Sequence, residues 1–200
     1  MTGIKYNFKP SEKWNFAILL TNGWQRINKP QKDVSPSLGS QIVYKSNPNA
    51  TLNWSIFIGK EFNGIDYRMR YFSNLYFDKK WNEKWRTITG FDYGLQNLSS
   101  TYKKSATWLS PVFIAQYSIN PKWKTAIRTE YYQDENNVII DANDEFKTFG
   151  VSLNFDYLPN SKIKFRTEAR YFNNNKNIFL KELEFVNSDF FLTTCLSFEF

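Results

Sequence analysis

The chain is 200 residues long and 19% aromatic, with 26 Lys and Arg against 19 Asp and Glu for a formal charge of +7. The length predicts one domain over 1–200, and without a histidine no His-based triad or His-ligated zinc site can be built. A single cysteine, Cys195, permits neither an internal disulfide nor a thiolate metal cluster, and the dispersed positive charge contains no basic block that would mark a nucleic-acid arm.

Met1 leads directly into Ile4-Lys5-Tyr6-Asn7-Phe8, with no charged and apolar leader before it. The first predicted strand is 2–9, with Ile4, Tyr6 and Phe8 on one side. A turn at Ser11-Glu-Lys-Trp-Asn15 is followed by a strand over 14–24, which has Trp14 at its start and Trp24 at its end. A polar connection, 25–36, leads to a strand at 37–46. The turn at Asn49-Ala-Thr-Leu-Asn53 opens a strand over 52–62 that carries Trp54 and Gly59. Strand 67–78 contributes Arg68 and Arg70. After Trp81 and Asn82-Glu-Lys-Trp-Arg86, strand 85–97 contributes Trp85, Arg86 and Asp92 together with Gly90 and Gly94.

The connection at 98–106 leads to strand 107–119, which begins with Trp108. The turn Asn120-Pro-Lys-Trp-Lys124 then opens strand 123–135, with Trp123 followed by Lys124, Arg128, Glu130 and Asp134. The next connection is 136–145. In strand 146–158, Phe149, Val151, Leu153, Phe155 and Tyr157 alternate with Gly150, Ser152, Asn154 and Asp156. The turn Asn160-Ser-Lys-Ile-Lys164 precedes strand 162–173, where Ile163, Phe165, Thr167, Ala169 and Tyr171 alternate with Lys164, Arg166, Glu168 and Arg170. A last connection, 174–189, leads to an eleventh strand at 190–200, with Phe190, Leu192, Thr194, Leu196, Phe198 and Phe200 on one face.

The period of two and the turn residues Asn, Ser and Pro predict an all-β antiparallel up-and-down array of about eleven strands. Short turns alternate with longer polar connections. That sorting is how transmembrane β-barrels are built, and one greasy face per strand escapes a helix-based hydropathy test. Trp14, Trp54, Trp81, Trp85 and Trp123 fall near the short turns, and Trp24 and Trp108 near the opposite strand ends, as two aromatic girdles would. The other face gathers Arg68, Arg70, Arg86, Asp92, Lys124, Arg128, Glu130, Asp134, Asp156, Lys164, Arg166, Glu168 and Arg170, which hydrocarbon would not tolerate. These are the expected pore-lining residues. A soluble sandwich would also alternate, but would place Trp mid-strand as often as at strand ends. Aromatics among basic residues could form a nucleic-acid stacking platform, although here they continue at period two through every strand. Glu130 and Asp134 could act as a carboxylate pair, but same-face Lys124 and Arg128 make ion pairs the simpler role. There is no Gly-rich phosphate loop, and no cofactor or metal site is expected.

The chain resembles the OmpL-like putative beta-barrel porin family of Gram-negative outer membranes. The residues that carry the resemblance are Asn22-Gly-Trp-Gln25, Leu52-Asn-Trp-Ser-Ile-Phe-Ile-Gly-Lys60, Gly90-Phe-Asp-Tyr-Gly94, Ser110-Pro-Val-Phe-Ile-Ala-Gln-Tyr117, Arg128-Thr-Glu-Tyr-Tyr-Gln-Asp134 and Arg166-Thr-Glu-Ala-Arg-Tyr171. The resemblance implies an outer-membrane barrel with a channel role and no catalytic residues. Phe198 and Phe200 resemble the terminal aromatic signal that the barrel-insertion machinery reads. The expected partners are outer-membrane lipid, that machinery and small hydrophilic solutes, with a mild anion preference and no nucleic acid. A non-conducting structural or partner-binding barrel is the alternative. Family members look longer and begin with a signal peptide, so the chain is expected to be the C-terminal portion of a barrel, with at least one further strand upstream to make the count even.

Overall fold

The computed structural model describes residues 2–25, 27–28, 35–62, 67–98 and 104–199. Its strands are β1 (Gly3–Phe8), β2 (Trp14–Thr21), β3 (Ser37–Asn47), β4 (Ala50–Phe62), β5 (Tyr67–Lys80), β6 (Trp85–Asn97), β7 (Ser105–Asn120), β8 (Trp123–Asp134), β9 (Phe146–Asn160), β10 (Ile163–Asn174), β11 (Phe179–Lys181), β12 (Glu184–Val186) and β13 (Ser188–Phe198). Eleven of them form one sheet in the order β1-β2-β3-β4-β5-β6-β7-β8-β9-β10-β13, so each strand hydrogen-bonds to its neighbour in sequence. The expected eleven-strand meander is present. The remaining pair, β11 and β12, is a separate small hairpin inside the segment read from sequence as a plain polar connection.

The chain divides into two compact units, one of residues 1–77 and 91–109 and the other of residues 78–90 and 110–200. In the first, β1 pairs antiparallel with β2, β2 with β3 and β3 with β4. The apolar residues Ile4, Tyr6 and Phe8 are all exposed, as are Ile18 and Leu20 across the ladder. Their neighbours Ala17, Thr21, Ser37, Asn53 and Phe57 are buried on the other face. In the second unit β8, β9, β10 and β13 pair antiparallel, with one register shift in the β9–β10 ladder between Ile163 and Phe165. Leu153, Phe155, Phe165, Tyr171, Leu192 and Leu196 are exposed, whereas Ser152, Asp156 and Asn174 are buried. Each unit thus has an inverted arrangement, with exposed hydrocarbon on one sheet face and buried polar groups on the other. Water would penalise such a face, whereas lipid would not.

The turn motif has a defined mechanism. Asn82 Oδ1 accepts the backbone N–H groups of Lys84 and Trp85, both at 2.9 Å. Asn120 Oδ1 does the same for Lys122 at 2.9 Å and Trp123 at 3.0 Å, and Asn160 Oδ1 for Lys162 at 2.9 Å and Ile163 at 3.1 Å. One amide oxygen therefore satisfies two amides that the tight turn leaves without ladder partners. The turn lysine then fixes the following strand through its carbonyl oxygen. Lys13 accepts from Lys45 N–H, Lys84 from Ser118, Lys122 from Leu158 and Lys162 from Glu199, each at 2.8 Å. The same backbone latch thus recurs at four turns.

Candidate functional site

In the second unit the strand register arranges the polar face as rungs. Lys124 and Arg166 flank Asp156, Ala126 and Glu168 flank Asn154, Arg128 and Arg170 flank Ser152, and Glu130 and Phe172 flank Gly150. Successive rungs are about 7 Å apart along the strands. Asp156 is buried and held by the Arg166 fork, with Nε at 2.6 Å and Nη2 at 2.7 Å, and it also accepts Asn154 Nδ2 at 3.1 Å. Arg86 forms the same two-pronged contact with Asp78. Glu130 is reached by Arg128 Nη2 from one side and by Arg170 Nη2, at 3.6 Å, from the other. Arg170 Nε lies 3.2 Å from Glu168. These side chains border a cavity of about 300 Å³ whose lining includes Arg86, Arg128, Arg166 and Arg170, with Glu168 as its acid and Gln116, Ser152 and Asn154 as its neutral polar groups.

The first unit has two features on its polar face. One is a directed chain of polar side chains that spans β1 to β6, with a member on each strand but β2. Lys5 Nζ donates to Gln41 at 3.1 Å, Gln41 to Asn53 at 2.8 Å, Asn53 to Asn74 at 3.3 Å, and Asn74 to Asp92 at 2.6 Å. It runs from a cation to an anion, so every dipole along it points the same way. The other is an aromatic cluster. Arg70 lies over the rings of Trp24 and Trp108, 5.6 Å from each centroid, while its Nε donates to Gln96 at 2.7 Å. Trp24 meets Phe57 and Phe72 edge-on, and Phe72 stacks on Trp108. The backbone N–H of Trp24 donates to Glu61 at 2.7 Å, which draws the segment after β2 onto this face.

A family model, putative beta-barrel porin-2, OmpL-like, matches residues 1–200. The chain belongs to that family. Family membership makes the polar face the expected lumen side and the apolar face the expected lipid side. Among solved structures, this OmpL-like porin is similar to the anion-selective porin from Comamonas acidovorans, with a TM-score of 0.77 and 10% identity over 98% of this chain and 58% of that one. It is also similar to the outer membrane channel DcaP of Acinetobacter baumannii, with a TM-score of 0.67 and 11% identity over 97% of this chain and 60% of that one. At such identities the likeness is one of fold. The chain thus spans about three fifths of the length of these two channels. No curated protein matches it by sequence.

The chain places the sequence-expected residues unevenly. Arg86, Arg128, Arg166, Glu168 and Arg170 line the lumen-side cavity, with Lys124, Glu130 and Asp156 on adjoining rungs. Lys164 lies on the same face, opposite Ser197. Arg68, Arg70 and Asp92 lie in the other unit. Arg68 Nε is buried without a hydrogen-bond partner, and Arg70 is enclosed by indoles rather than open to solute. Asp134 departs from expectation. It is fully buried and accepts the N–H groups of Val138 at 2.9 Å, Ile139 at 2.7 Å and Ile140 at 3.0 Å, so it anchors the 135–145 connection instead of lining a pore.

Of the expected girdle, Trp14, Trp54, Trp81, Trp85 and Trp123 are exposed. Trp14 pairs with Tyr44, Trp85 with Tyr117 and Trp123 with Tyr157. Trp24 and Trp108 require a correction. Trp108 is buried on the lumen side, at an even position of β7 in line with Ala106, and Trp24 joins it there. Position along the strand suggested a girdle, but the side of the sheet decides, and parity puts Trp108 inside. Near the longer connections of the second unit the exposed aromatics are instead Phe149, Tyr171 and Phe190, the last two directly paired. Phe198 is exposed at the end of β13, and Phe200 lies outside the described residues. Sequence reasoning did not single out Gln41, Asn53, Asn74, Glu61 or Ser152. The available signal was a polar residue at an inward-parity position.

Proposed function

We propose that the chain contributes, as one barrel domain, to an outer-membrane channel of a Gram-negative bacterium through which small hydrophilic solutes diffuse passively, with a mild preference for anions. Catalysis has no part in this reading. Family membership supports a channel, and the lining of the lumen-side cavity, four arginines to one glutamate, supports the anion preference. The exposed hydrocarbon faces fit outer-membrane lipid, and the insertion machinery is the expected reader of the strand that ends near Phe198. The test is the reversal potential of the protein in a planar bilayer under a KCl gradient. An anion-selective potential that falls when Arg86, Arg128, Arg166 and Arg170 are each changed to Gln supports the reading, and a cation-selective potential unaffected by them refutes it.

A second reading is a barrel that does not conduct and serves a structural or partner-binding role. The packed Trp24, Arg70 and Trp108 cluster on the lumen side of the first unit favours it, because that surface is filled by side chains. Absence of any single-channel current from correctly folded protein would select this second reading.

A further inference from the structure

We infer that the Arg128–Ser152–Arg170 rung is a binding site for small oxyanions, a carboxylate or a phosphate, and that Glu130 occupies it as a tethered competitor. The channel reading supplies the reason for a solute to reach this rung; the chemistry of binding stands on the geometry alone.

Arg128 and Arg170 stand on β8 and β10, each in register with Ser152 of the intervening β9. Two strand spacings, about 10 Å, separate their backbones, so their long side chains converge over one serine. Both guanidinium groups already reach one carboxylate, that of Glu130, and Arg170 also has Glu168 beside it. Arg128 Nη2 contacts Glu130 Oε2, while Arg170 Nη2 contacts Glu130 Oε1 only loosely, at 3.6 Å. Glu130 reaches this position over Gly150, where a Cβ would come within 2.9 Å of Glu130 Cγ. A carboxylate between two guanidinium groups is how a ligand carboxylate would sit.

The site is incompletely satisfied as it stands. Arg128 Nε and Arg170 Nε are both buried, and neither has a hydrogen-bond partner. Arg170 Nε is within ion-pair distance of Glu168, at 3.2 Å, yet no acceptor lies along its N–H. Buried guanidinium donors without acceptors favour any group that supplies them. A chloride ion offers one acceptor point, whereas an oxyanion offers two or more oxygens that match the planar fork of arginine. The adjoining cavity of about 300 Å³ is bordered by Ser152, Asn154 and Gln116, whose polar groups complete a coordination shell. At about 30 Å³ per water, it admits an anion of roughly ten heavy atoms at most.

The tethered glutamate gives the site a property useful in a channel. Conduction needs binding strong enough to admit a solute and weak enough to release it. Glu130 competes from a fixed distance, and so it shortens the stay of the visiting anion without emptying the rung of positive charge.

The test is isothermal titration of inorganic phosphate, and separately of acetate, into the detergent-purified protein, with chloride as the reference anion. Saturable binding of phosphate or acetate over chloride is expected. Arg128→Lys and Arg170→Lys, which keep the charge and lose the fork, should each weaken it about tenfold. Glu130→Gln, which removes the competitor and keeps its shape, should strengthen it about tenfold. The two probes separate the sources: phosphate alone marks a phosphate site, and acetate alone a carboxylate site. No saturable binding by folded wild-type protein, or wild-type affinity retained in both lysine variants, overturns the inference. Bilayer current on the same preparations reads the channel proposal independently, since a conducting protein without a saturable site refutes only the rung, and a binding protein without current refutes only the channel.

Discussion

Trp108 lies flat against the bare Cα of Gly94, so closely that a Cβ added there would come within 2.0 Å of the indole ring. The glycine is what lets an indole fit on the lumen side of the wall, and the indole in turn covers Arg70. Gly94→Ala should therefore destabilise the protein by about 1–3 kcal/mol through overpacking. In a Trp108→Ala background the same change should cost little, because the obstruction is gone. Urea unfolding of the folded protein in detergent, arranged as a double-mutant cycle, measures the coupling.

The two faces of the second unit predict opposite tolerance for charge. Leu153 is exposed at the middle of β9 on the apolar face, and Leu153→Arg should cost about 2–4 kcal/mol in a bilayer. Ala126 borders the lumen-side cavity, and Ala126→Arg should stay within about 0.5 kcal/mol of the wild type. Equal costs measured by unfolding from lipid vesicles would show the face assignment to be wrong.

Asn120 satisfies two turn amides with one oxygen. Asn120→Ala leaves both without that partner and should cost about 1 kcal/mol, whereas Asn120→Asp, which keeps an acceptor, should cost less. The expected signature is faster exchange of the Lys122 and Trp123 amide protons in the alanine variant only.

Asp134 organises the 135–145 connection through three amides. Asp134→Ala should release it, with each lost charge-assisted bond worth about 1.5–3 kcal/mol before relaxation. Limited proteolysis is expected to cut between 135 and 145 in the variant and to leave the neighbouring strands intact. Unchanged resistance would show that other contacts hold the segment.

What the sequence reveals about this wall follows from the range of each signal. Parity is a local rule, and it separates the polar residues of β8 to β10 from their exposed aromatics because each strand carries its own alternation. The Asn-x-Lys turns are legible for the same reason. Relationships across strands are not. That Arg170 shares Glu130 with Arg128 depends on the β8–β9–β10 register, which no single strand encodes. Asp134 reads as a lumen charge by parity, but its partners are backbone amides, which have no side-chain signature. Trp24 was misassigned because what turns it inward is Glu61, 37 positions away. The β11–β12 hairpin escaped notice since its three-residue strands are shorter than a period-two pattern can establish.

The carbonyl latch of Lys13, Lys84, Lys122 and Lys162 joins each turn to the strand that follows the next connection, using backbone atoms alone. Four of the hairpins therefore carry their own adhesive to a successor and ask nothing of that successor's side chains. A wall made this way can be lengthened or shortened by whole hairpins during evolution, since the junction needs only a carbonyl and an amide in register. The length of the sheet becomes a matter of how many times a unit of some forty residues is copied, while the chemistry of the polar face is rewritten independently in each copy.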